Sequence, residues 1–103
     1  MEVINSVILN SSNELVLRIA GKGNPSYQYV YREAKGVYWD QDQIGFKSTP
    51  LGEWTISKWF FHIIAVVKQG LNLDLEMSNN VTWENISIAE QKEIKTRYNK
   101  MYN

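Results

Sequence analysis

Cysteine is absent from this 103-residue chain, which removes disulfide frameworks, thiolate-bound zinc and a cysteine nucleophile together. Histidine is scarce: His62 stands alone, so no chemistry that needs two imidazoles is open. Charge of one sign is missing too. Lys plus Arg and Asp plus Glu balance at 11 each, whereas a general nucleic-acid binder carries a basic excess or stripe. The same balance removes repulsion between copies and eases self-association. No long hydrophobic run occurs; the longest, Trp59 to Val67, is broken by His62 and falls far short of the roughly 20 residues that span a bilayer. The start, Met1 to Asn5, lacks the basic head and apolar run of a secretory signal. The expectation is a cytoplasmic protein without membrane or nucleic-acid partners, with residues 1–103 forming one domain.

Aromatic residues are plentiful, at 13% with four Trp and six Tyr. The densest apolar stretch is Thr55 to Gln69. At a helical period, Ile56, Phe60, Ile63, Ile64 and Val67 form one stripe, flanked by Trp59 and Val66. Ser57, Lys58, His62, Ala65, Lys68 and Gln69 fall on the opposite arc, with Phe61 its apolar exception. Thr55 has the chemistry of an N-cap, and Gly70 that of a left-handed stop.

In front of this helix the chain reads as strands. Val3 to Leu9 and the alternating Glu14 to Ala20 flank the turn residues Asn10 to Asn13, which predicts a hairpin. Gly21, Gly23, Asn24 and Pro25 form the clearest break. Tyr27 to Glu33 alternates next, placing Tyr27, Tyr29 and Tyr31 on one strand face. Val37 to Asp40 and Ile44 to Lys47 pair around Asp40 to Gln43, with Gly45 able to hold a bulge, and Ser48 to Gly52 reads as a loop or single turn leading into the helix.

Behind the helix, Leu71, Leu73, Leu75 and Met77 alternate with Asn72, Asp74 and Glu76, which predicts a strand with one buried face. Ser78 to Asn80 reads as a hairpin turn and Val81 to Glu84 as its returning strand. Ser87 and Glu90 match a capping box opening a last helix from Ile88 to about Tyr102. Its apolar stripe is narrow, Ile94, Tyr98 and Met101 with Tyr102, and stripes of that kind fray or dock on a partner. The predicted class is α+β: a mainly antiparallel sheet of five to seven strands, packed by a central amphipathic helix, with a second C-terminal helix.

Catalytic chemistry finds little support. His62 lies on the polar arc without a positioned partner. Asp40, Asp42 and Gly45 match the start of a calcium loop, but Ile44 and Leu51 stand where ligands belong, so a turn is expected and no metal. Glu76 and Glu84 would face each other across the predicted hairpin, with nothing to split their acidities. Gly21 to Gly23 lacks the spacing of a phosphate loop, and no cofactor is expected. An enzyme is therefore the third reading.

The aromatic set carries more. Tyr27, Tyr29, Tyr31, Tyr38, Trp39, Trp54 and Trp83 exceed what one small core requires, and with Phe61 they are the candidate ligand or interface residues. A covered strand face, an interface and a small-molecule pocket all remain open for them. From Leu71, the alternating strand, Val81 to Glu84 and the helix opening at Ile86 to Glu90 resemble the ending of small bacterial immunity proteins of polymorphic toxin systems. The size and aromatic, cysteine-free character also resemble uncharacterised proteins of mobile integron gene cassettes. That resemblance implies a cytoplasmic protein acting by binding, for instance to a toxin. The expected function is a non-enzymatic interaction protein that self-associates, as a dimer first, through exposed aromatics. The alternative is a small-molecule binder with an aromatic pocket between sheet and helix.

Overall fold

Ile4 and Val7 are both fully buried on strand β1 (Glu2–Leu9), although residues three apart on a regular strand point to opposite faces. The computed structural model, which describes residues 1–102, shows how. The register against β2 (Glu14–Ile19) shifts between Ile4 and Ser6, so Asn5 is an extra residue that turns the strand's parity over. Ile4 then opposes Ile19, and Val7 opposes Leu17, all on one face.

A 3-10 helix follows (Pro25–Glu33), then β3 (Val37–Asp40), β4 (Gly45–Pro50), α1 (Ile56–Leu71), β5 (Leu75–Glu84) and α2 (Ile88–Tyr102). The sheet order is β3-β4-β2-β1-β5. Its pairings are antiparallel except β1 with β5, which is parallel because α1 carries the chain from β4 across the sheet to the far edge. One α+β sheet of five strands results, within the range the sequence predicts.

Register sorts the side chains into rows. Trp39, Phe46, Leu17, Val7 and Trp83 cross the sheet in line on the helix side. Tyr38, Lys47, Val16, Ile8 and Glu84 form the neighbouring row on the other side. There Lys47 bridges Glu14 at 3.9 Å and Asp40 at 3.4 Å. The core cluster joins the first row to Phe60, Ile63, Val67 and Ile94 of the two helices.

The central helix forms as its pattern predicts. Thr55 Oγ1 accepts the Lys58 amide, and the Ile56, Phe60, Ile63, Ile64 and Val67 stripe is buried. Two details differ. The helix runs through Gly70 and ends at Asn72, which takes the left-handed conformation. Gly70 serves close packing instead: a Cβ there would lie 2.7 Å from Glu33 Cγ. Ser57, assigned to the wet arc, is buried and accepts a hydrogen bond from Arg97 Nη1 at 2.8 Å.

Larger corrections lie on either side. Tyr27 to Glu33 is helical, not a strand, because Asn24 caps the Ser26 amide and Pro25 presets the first turn. At three residues per turn, Tyr27 and Val30 face inward while Tyr29 and Tyr31 do not. The irregular residue at the β3–β4 turn is Ile44, at φ 53, whereas Gly45 lies in β4, where a Cβ would stand 2.6 Å from the Leu17 carbonyl oxygen. Ser48 to Pro50 continues β4 instead of forming a loop. The predicted hairpin at Ser78 to Asn80 is absent: β5 is one strand, and Ser78 to Val81 bulge out opposite the single residue Asn5. Glu76 and Glu84 therefore share a strand and do not face each other.

A further shift, between Glu14 and Val16, interrupts the β2–β4 ladder. The Leu15 amide there donates instead to the buried Ser48 hydroxyl at 2.9 Å. Ser48→Ala leaves that amide unpaired and is expected to cost about 1–3 kcal/mol in chemical denaturation. Phe60→Ala, which empties a fully buried site, is expected to cost about 3–5 kcal/mol in the same measurement.

Candidate functional site

The fold disperses the predicted aromatic set. Tyr27 turns inward, its ring 5.3 Å from Trp39 and 5.5 Å from Phe46, and its hydroxyl donates to Glu2 Oε2 at 2.6 Å. Burial pushes its phenol up to about 12, helped by the hydrogen bond to Glu2 and that carboxylate's charge. Trp39 packs edge-on to Phe46 at 4.9 Å, and its indole N–H donates to Gln41. Gly23, at φ +83, leaves room for the Trp39 ring, since a Cβ would stand 2.6 Å from it. Tyr29 and Tyr31 are exposed on the outer side of the 3-10 helix, with the Arg32 guanidinium 4.3 Å over Tyr29. Tyr38 is exposed on the opposite sheet face. No row of tyrosines exists.

Trp54 belongs to a separate cluster. Its ring meets Trp59 at 4.8 Å and His62 at 5.0 Å, with Lys58 Nζ 4.4 Å above it. His62 Nε2 lies 2.8 Å from the Lys35 carbonyl. A carbonyl only accepts, so this nitrogen carries a proton and donates. The imidazole thus has a structural partner that its sequence position did not reveal. It ties the segment before β3 to α1.

Of the predicted residues, Trp39 lines a groove of about 370 Å³ with Gly23, Pro25 and Gln41, while Phe61 and Trp83 line two grooves that border α2. The first, about 310 Å³, runs between Phe61, Ile64 and Ala65 of α1, Leu75 at the start of β5, and Met101 and Tyr102. Arg97 lies 4.8 Å over the Phe61 ring, and Lys68 pairs with Asp74 at 3.0 Å on the rim. The second, about 320 Å³, lies between the β5 bulge and α2, with Trp83, Lys95 and Tyr98 on its walls. Tyr98, on a wall of the second, and Tyr102, on a wall of the first, meet with tilted rings 4.5 Å apart.

Sequence reasoning missed Lys95, Tyr98, Met101 and Tyr102 as site residues. The available signal was the narrow stripe itself: along α2 only Ile94 is buried, while Met101 and Tyr102 remain 58% and 49% exposed. The helix starts as predicted, Ser87 Oγ accepting the Glu90 amide and Glu90 accepting the Ser87 amide.

Metal chemistry is not assembled. Asp40 Oδ1 accepts the amides of Asp42 and Gln43, and its other oxygen pairs with Lys47, as a turn requires. Among the described residues, no three His, Asp or Glu side chains are grouped to hold an ion. Nor, among these residues, is any helix long and apolar enough to cross a membrane. The two grooves beside α2 have aromatic walls, one with an apolar rim and mixed charges, the other with a polar rim and a cation.

A family model described as Integron Cassette Protein Hfx_Cass5 matches residues 7–81, well over half of the chain. The matched span covers the strand-rich front and α1, and agrees with the resemblance to integron cassette proteins. A solved structure of Integron Cassette Protein Hfx_Cass5, from the mobile metagenome of North West Arm Sewage Outfall, aligns over 96% of each chain at 20% identity and a TM-score of 0.42. No curated protein matches the sequence.

The Tyr27 environment has a measurable sign. Folded, the phenol keeps its proton to about pH 12, while an unfolded tyrosine loses it near its ordinary value of 10. The native state therefore binds this proton more tightly, and the resulting stability is complete below pH 10 and lost as pH rises towards 12. Ultraviolet titration is expected to show one phenolate forming near pH 12 that is missing in Tyr27→Phe. The variant's stability should also fall less steeply across that window.

Proposed function

We propose, for a chain that belongs to the Integron Cassette Protein Hfx_Cass5 family, a non-enzymatic cytoplasmic role in which it self-associates through the end of α2. The observation that carries this reading is the pairing of knob and hole on one surface. Met101 and Tyr102 are largely exposed and form one side of the groove that Phe61, Ile64, Ala65 and Leu75 line on the other. A two-fold contact needs such a self-complementary patch, because each copy must offer what the other receives.

Charge favours a second copy as the occupant. Glu76 on the groove rim and Lys100 beside Met101 are both exposed, and neither forms an ion pair among the described residues. A two-fold axis near Met101 sets the Lys100 of each copy against the Glu76 of the other, and the balanced net charge imposes no long-range repulsion. The free backbone edge of β5 is a poorer docking element. Its bulge and the Tyr98 hydroxyl, which accepts the Met77 amide, blunt it against strand addition.

Sedimentation equilibrium tests the reading. The expected outcome is a monomer–dimer equilibrium that Met101→Glu weakens by tenfold or more, a loss of about 1.4 kcal/mol or greater. Glu76→Lys should weaken it as well, and Lys100→Glu added to that variant should restore it. A strict monomer across the accessible concentration range, or a dimer indifferent to all three changes, overturns the assignment.

A further inference from the structure

We propose that the groove between the β5 bulge and α2 is a binding site for small planar carboxylates. This site is independent of self-association, since it shares no lining residue with the groove beside Met101. Its origin is the mismatch of two strands. Ser78 to Val81 stand opposite Asn5 alone, so that segment leaves the ladder and opens a space of about 320 Å³ under α2. That volume lies at the small end of ligand pockets, about 300–1,000 Å³, and suits a single ring with one substituent.

Three features select the ligand. Trp83, held on the helix side of the sheet by its register with Val7, supplies a half-buried aromatic wall. Lys95 places its ammonium 5.7 Å from the centre of that ring, near the outer limit of about 6 Å for a cation–π contact. It has no acidic partner among the described residues, and no carboxylate lines the groove. The cation is thus weakly held and available to an anion.

Tyr98 contributes the third feature. Its oxygen accepts the Met77 amide at 2.9 Å, which fixes the hydroxyl in place. Its own proton has no acceptor among the hydrogen bonds of the described residues, leaving a donor on the groove wall. Asn79 and Asn99 add amides at the mouth. A flat ring against Trp83 with its carboxylate towards Lys95 and Tyr98 answers all three. A neutral ring forfeits the charge-assisted contact, and a ringless anion forfeits the stacking.

Amide-resolved NMR titration with benzoate, benzamide and acetate tests the assignment on the full chain. Benzoate is expected to give saturable shifts at Ser78, Asn79 and the Trp83 indole, with benzamide and acetate at least tenfold weaker. Lys95→Gln, a substitution at an exposed position, should lose tenfold or more of the benzoate affinity, and Lys95→Arg should keep most of it. Absence of saturable shifts at these residues overturns the proposal. So does a Lys95→Gln variant that binds unchanged, or acetate binding as well as benzoate.

Discussion

The parity change at Asn5 is the constraint on which the other elements depend. Beta-1 lies between β2 and β5 and must present Ile4 and Val7 to the same helices, which a regular strand cannot do. Once Asn5 is extra, both neighbours must absorb the shift. Against β2 the adjustment is small, and Ile4–Ile19 and Val7–Leu17 close on either side of it. Against β5 it is large, because Ser78 to Val81 fill the corresponding span. The core row from Trp39 to Trp83 follows from that one inserted residue, and the groove below α2 from the four residues of β5 that stand opposite it.

Local patterns were legible where a single period governed a single burial environment. The β1–β2 hairpin, the alternation from Glu14, the α1 stripe and the Ser87 capping box all appear where the sequence places them. Failures arose where one pattern fits two geometries. Tyrosines at every second position suggest a strand, yet Asn24 before Pro25 is also a helix start, and the capping chemistry prevailed. Ser78, Asn79 and Asn80 suit a hairpin turn and a bulge equally well, and only the partner strand decides between them. That partner is β1, at the other end of the chain, so the parallel pairing had no local signature.

Legibility of the site was partial for a related reason. Aromatic abundance pointed to surplus surface, and Phe61 and Trp83 do border grooves, but their sequence neighbours say nothing about α2 lying beside both. Tyr27 and Trp39 became packing residues around Phe46, and Trp54 joined Trp59 and His62 in a clamp. A weakly amphipathic helix is easily passed over as a frayed tail. Here its shortage of buried residues is what leaves Met101 and Tyr102 at the surface.

The parallel contact between β1 and β5 also governs the order in which the molecule is completed on the ribosome. Beta-1 and β2 follow one another and can pair at once, but the opposite edge of β1 stays open until β3, β4, α1 and then β5 have been made. During that interval Val3, Ile4 and Val7 belong to an apolar strand with a free row of amides and carbonyls, a template for pairing with other nascent chains. Arrival of β5 closes that edge. The bulge and Tyr98 then leave the new outer edge irregular, so the finished sheet ends on a strand far less receptive than the one it covers.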